Sequence, residues 1–590
     1  MNALSLILAV APAAAPAPAP AWQDWSSAVF VRAQSEKRLV LLDLGAVWCH
    51  WCHVMEETTY RHPRVVELLR DHFVAVRVDQ DARPDLANRY EDYGWPATIL
   101  FDATGRELAK ISGYVEPPRM ISLLEAFVAD PTPGPSAGAG PALVTAATGS
   151  LPEAQRQRLT ELLVERYDPE HGGWGFAKKF LDWDAVEYSM LRGREGDVAS
   201  ERRARQTLDA QLGLIDPVWG GVYQYSHGGN WANPHFEKLL AFQAENLRVY
   251  AQAYALYGEA RYLKAARDIH RYLLTFLRDG EGAFYVSQDA DLVRGEHAGD
   301  YFSLGDAARR ARGLPRVDTH LYARENGWAA TALLAFHAVT GDALVLAQAR
   351  AAIRFVLEHR ARAGGGFRHD AADPAGPYLG DTLAMGRAFL ALYAATGERA
   401  WLDHARGAAG FIASRFTREG TPGVLTAASD VLGAPVPQRE ENLQTARFAN
   451  LLLHYTGEPR YGALAERAML FATAPEVASR PQTGGVLLAD HELAADPLHL
   501  TVVGARDDAV AQALLLEARR DPDGGKRVEL WDPADGPLPH SDVVYPRLSR
   551  PAAFLCAAGR CSAPAFDVEA LRARLRRARD AARADALRGG

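Results

Sequence analysis

Residues 41–55 of the chain read LLDLGAVWCHWCHVM, an apolar run followed by two cysteines separated by two residues. The apolar run predicts a buried strand, and a helix is expected to begin at Cys49. Free N–H groups at a helix N-terminus stabilise a thiolate. The pair therefore predicts a redox dithiol, with Cys49 as the exposed attacking sulfur and Cys52 as the shielded resolving sulfur.

Two other interpretations of this pair stay open. A zinc site needs more ligands, and the remaining cysteines, Cys556 and Cys561, lie at the far end of the chain. His50 and His53 could complete the set, but four ligands so close in sequence do not easily enclose a tetrahedral ion. The pair could also be an inert structural pair. We expect a redox disulfide, Cys49–Cys52, with no bound metal and no cofactor.

The residues around the pair resemble thioredoxin. Asp43 stands six residues before Cys49, where thioredoxins place a buried acid, and Trp48 precedes the first cysteine as in their WCxxC motif. Residues 74–79 predict the next central strand. Pro96 stands where thioredoxins carry a cis-proline loop, which would place backbone beside the dithiol to receive an extended substrate. An ordinary turn at Pro96 is the alternative.

The motif itself, CHWCHVME followed by VDQDARPD at residues 78–85, is similar to the spermatogenesis-associated protein 20-like family. The resemblance extends to GGWGFAKKF (residues 172–180), PHFEK (234–238) and FLCAAGRCSAP (554–564). Family members carry a longer insertion where residues 86–94 are compact here, and more often GGFGGAPKF in the first of these segments. The resemblance implies a thioredoxin-like domain fused to a six-hairpin glycosidase-like toroid.

Length and composition limit the classes of partner. A chain of 590 residues predicts two or three domains, and 48% hydrophobic with 23% charged residues is ordinary for globular protein. A net charge of −8 with no long basic run argues against nucleic acid or an anionic membrane as a partner. Four cysteines in two close pairs suit an oxidising compartment.

The N-terminus has the outline of a signal peptide. Residues 3–15 (ALSLILAVAPAAA) are apolar, and small-x-small sites follow at residues 13–15 and 19–21, although the basic n-region is missing. This stretch is too short for a permanent membrane span. We expect residues 1–21 to be a cleaved leader and the protein to be periplasmic or secreted. A disordered Ala/Pro leader on a cytoplasmic protein is the alternative.

Beyond a predicted thioredoxin-like domain at residues 22–129, residues 130–150 read as a Pro/Gly/Ala linker. In residues 151–490, helical stretches alternate with two kinds of repeated glycine-containing segment. Four glycines end an apolar helix before a second helix starts: Gly258, Gly341, Gly397 and Gly457. Four glycine–aromatic loops lie between these hairpins, at residues 172–176, 220–225, 281–285 and 364–367. About six such hairpins predict closure into an (α/α)6 toroid, whereas an open solenoid usually has shorter units.

The C-terminal residues 491–590 predict a small α/β appendage. Residues 498–504, 526–531 and 552–555 have strand patterns, and residues 508–520 have a helical one. Cys556 and Cys561 enclose four residues, so a disulfide is feasible, and two reduced thiols are the alternative in a cytoplasmic protein. The predicted fold is therefore multidomain: an α/β thioredoxin-like domain, an all-α toroid and a small α/β subdomain.

In a closed toroid the glycine–aromatic loops gather at one mouth, so polar residues near them are candidates for chemistry. The segment PHFEK (residues 234–238) is expected to form the first turn of a helix there. The candidate substrate-binding or second-site residues are Trp48, His50, His53, His235, Glu237, Asp289, Asp291, Glu325 and Asp381. Each acid could equally be a helix cap.

Three functions follow from these patterns. The first is thiol–disulfide exchange with protein substrates, catalysed by Cys49 and Cys52 with Asp43 and Pro96, while the toroid selects the substrate. Extra imidazoles beside the pair predict a more oxidising dithiol than thioredoxin's. The second is a carbohydrate-active enzyme that uses two carboxylates as a glycoside hydrolase does, or His235 as an epimerase base, with a saccharide in the toroid. The third is a non-catalytic scaffold.

Overall fold

The chain divides into two structural units. The computed structural model describes residues 19–138, 143–373, 375–429, 434–522, 525–540, 542–557 and 560–589, so most of the predicted leader lies outside the described residues. The first unit is Met1–Ala46, Trp51–Asp79 and Asp92–Gly138. The second unit is Val47–His50, Gln80–Glu91 and Ala139–Gly590. The predicted domain boundaries within these units stay predictions.

The N-terminal part of the chain alternates helices and strands. In chain order these are α1 (Ser27–Glu36), β1 (Leu39–Gly45), α2 (His50–Thr58), α3 (Pro63–His72), β2 (Phe73–Asp79), α4 (Pro84–Arg89), β3 (Ala97–Phe101), β4 (Glu107–Ser112) and α5 (Pro117–Ala129). Helix α4 and the first residue of α2 belong to the second unit.

The sheet of the first unit has the order β2-β1-β3-β4. Strand β1 is parallel to β2 and antiparallel to β3, and β3 is antiparallel to β4. The interior of β1 is buried throughout, as its continuous apolar run predicts for a central strand. Leu41, Phe73, Leu100 and Leu124 join the strands and helices in one core. The predicted thioredoxin-like fold is confirmed.

Helices dominate the second unit. After the linker the elements are α6 (Glu153–Glu165), β5 (Lys178–Lys179), α7 (Trp183–Arg194), α8 (Val198–Gln211), β6 (Tyr225–His227), β7 (Pro234–His235), β8 (Lys238–Leu239), α9 (Leu240–Tyr257), α10 (Ala260–Tyr272), β9 (Ser287–Gln288), α11 (Gly299–Phe302), α12 (Asp306–Arg312), β10 (Val317–Asp318), α13 (Ala323–Thr340), α14 (Ala343–His359), α15 (Leu379–Thr396), α16 (Arg399–Arg415), α17 (Arg439–Thr456), α18 (Pro459–Ala472), α19 (Pro475–Ala478) and α20 (Gly484–Ala494).

Six of these helices form a closed inner ring. Helices α7, α9, α13, α15, α17 and α20 each pack against the next, and α20 packs against α7. Each inner helix also packs against one outer helix, in the order α8, α10, α14, α16, α18 and α6. Helix α15 is buried on nearly every side, as expected of an apolar inner helix. The predicted (α/α)6 toroid is confirmed.

The two sequence signals that predicted the hairpins have the expected structures. Gly258, Gly341, Gly397 and Gly457 follow inner helices with φ between +68° and +69°, a conformation that favours glycine. Backbone bridges close the glycine–aromatic loops: Tyr167–Trp174, Ile215–Val222, Arg278–Phe284 and Ala361–Phe367. Because each outer helix returns the chain, the inner helices all begin at one end of the ring, which we call the mouth.

One local prediction is wrong. PHFEK was expected to open a helix, but it forms short strands and the helix begins at Leu240. Tyr225 pairs with His235 across β6 and β7, and Lys238 pairs with Gln288 across β8 and β9. These pairings with distant residues hold the segment extended.

The C-terminal part contains β11 (His499–Val503), α21 (Ala509–Arg520), β12 (Arg527–Trp531), β13 (Ala552–Ala557), β14 (Arg560–Cys561) and α22 (Val568–Gly589). Its sheet, β12-β11-β13-β14, has the same order and strand directions as the first unit's sheet. Residues 504–508, GARDD, stand between β11 and α21 and contain no cysteine. Cys556 and Cys561 face each other across β13 and β14 and form the predicted disulfide.

Within the described ranges, no helix has both the length and the apolar character needed to cross a membrane.

Candidate active site

The cysteine pair lies between the end of β1 and the first turn of α2. Strand β1 ends at Gly45, and Cys49 directly precedes His50, the first residue of α2, so the predicted helix start is correct to within one residue. Cys49 and Cys52 are both disulfide-bonded. A Cβ atom on Gly45 would lie 3.3 Å from Cys52 Sγ, so the glycine leaves room for the second sulfur. After reduction, the N-terminus of α2 stabilises a thiolate.

The exposure of the two cysteines is the reverse of the prediction. Cys49 is only 4% exposed, while the second cysteine of the motif is half-buried. Both neighbours of Cys49 are held within the second unit. Trp48 Nε1 donates to Asp81 Oδ2 at 2.7 Å, and His50 Nδ1 lies 2.7 Å from Asp291 Oδ1. Cys49 is enclosed because distant residues fix the residues on either side of it.

Asp43 is buried in the middle of β1, as the thioredoxin resemblance implied. Arg77, its neighbour on β2, donates from Nε to Asp43 Oδ2 at 2.9 Å, and Tyr60 donates its hydroxyl to Oδ1 at 3.3 Å. Burial raises the pKa of Asp43, and the favourable interactions with Arg77 and Tyr60 offset this only in part. The peptide bond before Pro96 is cis.

A buried polar cluster surrounds His50. Besides the contact of its ring with Asp291, the His50 backbone N–H donates to Glu237 Oε1 at 3.4 Å. The Asp291 N–H in turn donates to Asp289 Oδ1 at 2.9 Å. Burial lowers the pKa of His50, but the hydrogen bond and charge of Asp291, with the charges of Glu237 and Asp289, outweigh it. The net pKa is raised, so the ring stays protonated to a higher pH than a free histidine.

Glu237 and His235 have shifted pKa values in opposite senses. Glu237 is 3% exposed, and its Oε2 has no hydrogen-bond partner in the described part of the chain. Burial raises the pKa of Glu237 to about 7. His235 stacks on Tyr225 with ring centroids 4.1 Å apart, and its Nδ1 lies 4.0 Å from Glu237 Oε1. Burial and then repulsion from His227 lower the pKa of His235 to about 4, so this imidazole is neutral near pH 7.

A second buried cluster lies at the starts of α13 and α15. His369 Nδ1 lies 2.8 Å from Asp381 Oδ1, and the Arg324 N–H donates to the same oxygen at 3.0 Å. Arg324 also pairs with Glu325 at 2.6 Å. His369 Nε2 lies 2.7 Å from the Asp81 carbonyl oxygen. Burial lowers the pKa of His369, but the charge of Asp381 and its hydrogen bond outweigh it, and the net pKa is raised.

Two short segments of the second unit that precede residue 139 therefore lie at the mouth. The residues Val47–His50 contact the cluster before α9, and Gln80–Glu91 contact the second cluster. Further along, Arg89 Nη2 donates to the Ala434 carbonyl oxygen at 2.7 Å. His50 therefore contacts two acids of the mouth, Glu237 and Asp291.

The structure brings the predicted residues together in two groups. His50, His235, Glu237, Asp289 and Asp291 form the first, and Glu325 with Asp381 belongs to the second. Trp48 contacts Asp81, and His53 is buried in α2.

Four residues at the mouth were not predicted from the sequence: Asp81, Arg324, His369 and Glu441. Position within the repeat could have found one of them, because Glu441 is the third residue of α17, as Glu325 and Asp381 are of α13 and α15. Burial raises the pKa of Glu441 to about 7.

Known proteins resemble two different parts of the chain. Residues 14–122 match the family described as "Protein of unknown function, DUF255" (Thioredox_DsbH). Spermatogenesis-associated protein 20 of Homo sapiens is 28% identical over 306 residues, which are 46% of this chain and 39% of the human protein. The predicted resemblance to the spermatogenesis-associated protein 20-like family is confirmed. The matched region nevertheless spans less than half of that relative.

Two further similarities concern single regions. The thiol:disulfide interchange protein DsbD of Pseudomonas fluorescens is 33% identical over 89 residues, 14% of this chain and 15% of DsbD. A crystal structure of a sugar epimerase from a ruminal bacterium aligns with 57% of this chain and 97% of its own, at 12% identity and a TM-score of 0.44.

Proposed function

We propose that the protein is a thiol–disulfide oxidoreductase whose redox pair is Cys49 and Cys52. The observation that carries this proposal is a disulfide-bonded Cys-x-x-Cys motif at the start of α2, beside the central strand of a thioredoxin-like sheet. Similarity of this region to a thiol:disulfide interchange protein supports it. Two disulfides in one chain also suit the expected oxidising compartment.

The reaction transfers two electrons and two protons. In the reducing direction, the Cys49 thiolate attacks a substrate disulfide, forms a mixed disulfide and releases one substrate thiol. The Cys52 thiolate then attacks the Cys49 sulfur, releases the second substrate thiol and forms the Cys49–Cys52 disulfide. The same steps in reverse oxidise a substrate dithiol.

His50 would assist by keeping Cys49 ionised. A cationic imidazole next to a cysteine in sequence favours the thiolate, and Asp291 keeps this imidazole cationic. Because Glu237 has a pKa of about 7 and accepts from the His50 backbone, it can take up or release a proton near the pair.

The enclosure of Cys49 restricts the substrates. A residue that is 4% exposed admits small disulfides, or an extended segment of a protein thiol, more readily than a folded surface. We propose that the partners are thiol or disulfide proteins that offer such a segment, and that the loop containing Pro96 receives it.

Trapping tests this proposal. The Cys52→Ser variant lacks the resolving sulfur and should accumulate mixed disulfides through Cys49, seen as adducts on non-reducing gels and located by mass spectrometry. Cys49→Ser is the matched control and should form far fewer adducts with protein substrates, because it lacks the attacking sulfur and keeps only Cys52. The double variant Cys556→Ala/Cys561→Ala should still cycle. If Cys52→Ser traps neither glutathione nor any protein under mildly oxidising conditions, the proposal fails.

A carbohydrate-active enzyme is the second candidate, favoured by the carboxyls of Glu237 and Glu441. Glu237 is buried and Glu441 half-buried at the mouth, and both have pKa values of about 7, the range in which a carboxyl serves as a general acid or base. This candidate predicts that Glu441→Gln or Asp289→Asn abolishes turnover of a saccharide while the dithiol still titrates. A protein that neither traps thiols nor binds saccharide would instead be a scaffold.

A further inference from the structure

A cavity of about 250 Å³ lies inside the second unit at the end of the ring opposite the mouth. Its wall includes Ala255, Val339 and Tyr455, which stand near the C-terminal ends of three inner helices, and Arg519 of α21. The cavity extends inward to Arg387 and Arg447 in the middle of α15 and α17, each six residues, or about 9 Å along the helix axis, from the acids Asp381 and Glu441 at the mouth.

Two arginines of the cavity wall are fully paired with acids. Arg248 Nη1 lies 2.8 Å from Glu187 Oε2. Arg447 holds Glu492 through two hydrogen bonds, of 2.7 and 2.8 Å. These pairs neutralise Glu187 and Glu492, and the third acid of the wall, Asp521, lies 3.9 Å from Arg579.

Two other arginines of the same wall form no ion pair among the described residues, although the charges of Glu245 and Glu187 act on Arg387 from a longer distance. Among the described residues, the Arg387 side chain makes no hydrogen bond and no ion pair. Arg519 donates from Nη2 to the Leu334 carbonyl oxygen at 2.7 Å, which is its one side-chain bond to the described residues. Burial lowers the pKa of both groups, that of Arg519 to about 10. A guanidinium has five N–H donors, so both of these half-buried side chains keep donors that can face the cavity.

The rest of the wall is largely apolar. Leu334, Leu390 and Leu451 line it, together with several alanines. Pockets that combine an apolar wall with a few fixed charges bind small organic molecules and orient them by the charged group. The planar fork of arginine matches the oxygens of a phosphate or a carboxylate.

We propose that this cavity binds a small organic anion, with its phosphate or carboxylate held by Arg387 and Arg519 and its apolar body packed against the leucines. The site lies apart from the cysteine pair, and it does not depend on the proposed redox function. Helix α21 contributes Arg519, so the C-terminal subdomain completes the site.

Thermal unfolding of the full-length protein tests the proposal with three probes at millimolar concentration: phenyl phosphate, benzoate and inorganic phosphate. A ligand that binds only the folded state raises the Tm. Phenyl phosphate or benzoate should raise it more than inorganic phosphate, which lacks the apolar body. A larger shift with phenyl phosphate identifies a phosphate ester as the ligand class, and a larger shift with benzoate identifies a carboxylate.

Substitutions in the cavity wall test whether the probes raise the Tm by binding at this site. Arg387→Gln should remove the shift and weaken the measured Kd about tenfold or more, as expected for the loss of charge-assisted hydrogen bonds. Arg519→Gln, on a different element, should do the same. Arg202→Gln, on the exposed face of α8, is the matched control and should keep the full shift.

A second readout separates binding from a structural role. Without a probe, Arg387→Gln should have the same Tm as the wild type or a higher one, because the substitution breaks no hydrogen bond or ion pair to the described residues. A lower Tm without probe would indicate that Arg387 is structural and would overturn the proposal. So would a failure of all three probes to shift the wild type, or shifts of equal size in Arg387→Gln and Arg202→Gln.

Discussion

His50 Nδ1 lies 2.7 Å from Asp291 Oδ1, a contact between residues 241 positions apart in the chain. His50 directly follows Cys49, so this contact sets the charge of the group next to the first sulfur of the motif. A carboxylate bound to an imidazole favours the cation and raises its pKa. The charge of the redox motif is therefore controlled from the loop that follows β9.

Replacing Asp291 with Asn should lower the pKa of His50. The substitution removes the hydrogen bond and the charge that raise this pKa, and burial, which lowers it, remains. Titration of the His50 ring by NMR should show the change, and thiol–disulfide exchange at neutral pH should slow. Asp300→Asn, at an exposed position nearby, should change neither measurement. An unchanged His50 titration in Asp291→Asn would contradict the assigned role of the pair.

The same pair makes stability depend on pH. Because the folded-state pKa of His50 is raised, its contribution to stability is fully present below the ordinary pKa of histidine. It is lost as the pH rises through the raised value. The difference in unfolding free energy between wild type and Asp291→Asn should therefore be larger at pH 6 than at pH 9, measured by urea denaturation. A constant difference would mean that His50 is neutral in the folded state.

Glu237→Gln should remove a pH-dependent loss of folding stability. Burial raises the folded pKa of Glu237 from 4.5 to about 7, so the folded state is favoured below pH 4.5 and loses that advantage as the pH rises through 7. The full difference is on the order of 3 kcal/mol. Relative to the wild type, Glu237→Gln should gain stability between pH 5 and pH 8 by an amount of this order. The matched control is Glu245→Gln, on the following helix α9, which should not reproduce this gain.

The elements that sequence patterns predicted well are those whose signals are local. The run before Cys49, the glycines that end the inner helices and the glycine–aromatic loops each depend on a few adjacent residues, and all are found where expected. The ring could be inferred because its hairpins repeat. The C-terminal disulfide was feasible from its spacing alone, and the structure adds the strand pairing that aligns it.

The sites were harder to predict because they are made by distant residues. Nothing near Cys49 in the sequence shows that Asp81 and Asp291 hold its neighbours, so its exposure was predicted wrongly. The extended form of PHFEK depends on pairing with residues on other strands. The unpaired state of Arg387 is equally invisible in the sequence, since it depends on where the neighbouring acids find partners.

The hydrogen bond between Trp48 and Asp81 should limit access to Cys49. After gentle reduction, iodoacetamide should alkylate the half-buried Cys52 faster than the buried Cys49, as followed by peptide mass spectrometry. Trp48→Phe removes the bond from Nε1 and should raise the rate at Cys49 severalfold. Trp51→Phe, at a tryptophan that is 42% exposed, is the matched control and should leave the ratio unchanged. Faster labelling of Cys49 in the wild type would contradict this prediction and would mean that ionisation beside His50, more than burial, sets the reactivity of Cys49.

Removing the C-terminal disulfide should lower stability without affecting the redox motif. A crosslink that closes a short loop restricts the unfolded chain and is worth about 2 kcal/mol for a loop of this size. Alanine at both positions avoids burying a new polar group at Cys556, which is 2% exposed. Urea denaturation of Cys556→Ala/Cys561→Ala, followed through the C-terminal region by hydrogen exchange, should show a loss of this order. Because Cys49 and Cys52 are unchanged, the midpoint of their reduction in a glutathione buffer should equal that of the wild type. A shifted midpoint would mean that the two disulfides exchange with each other and are not independent.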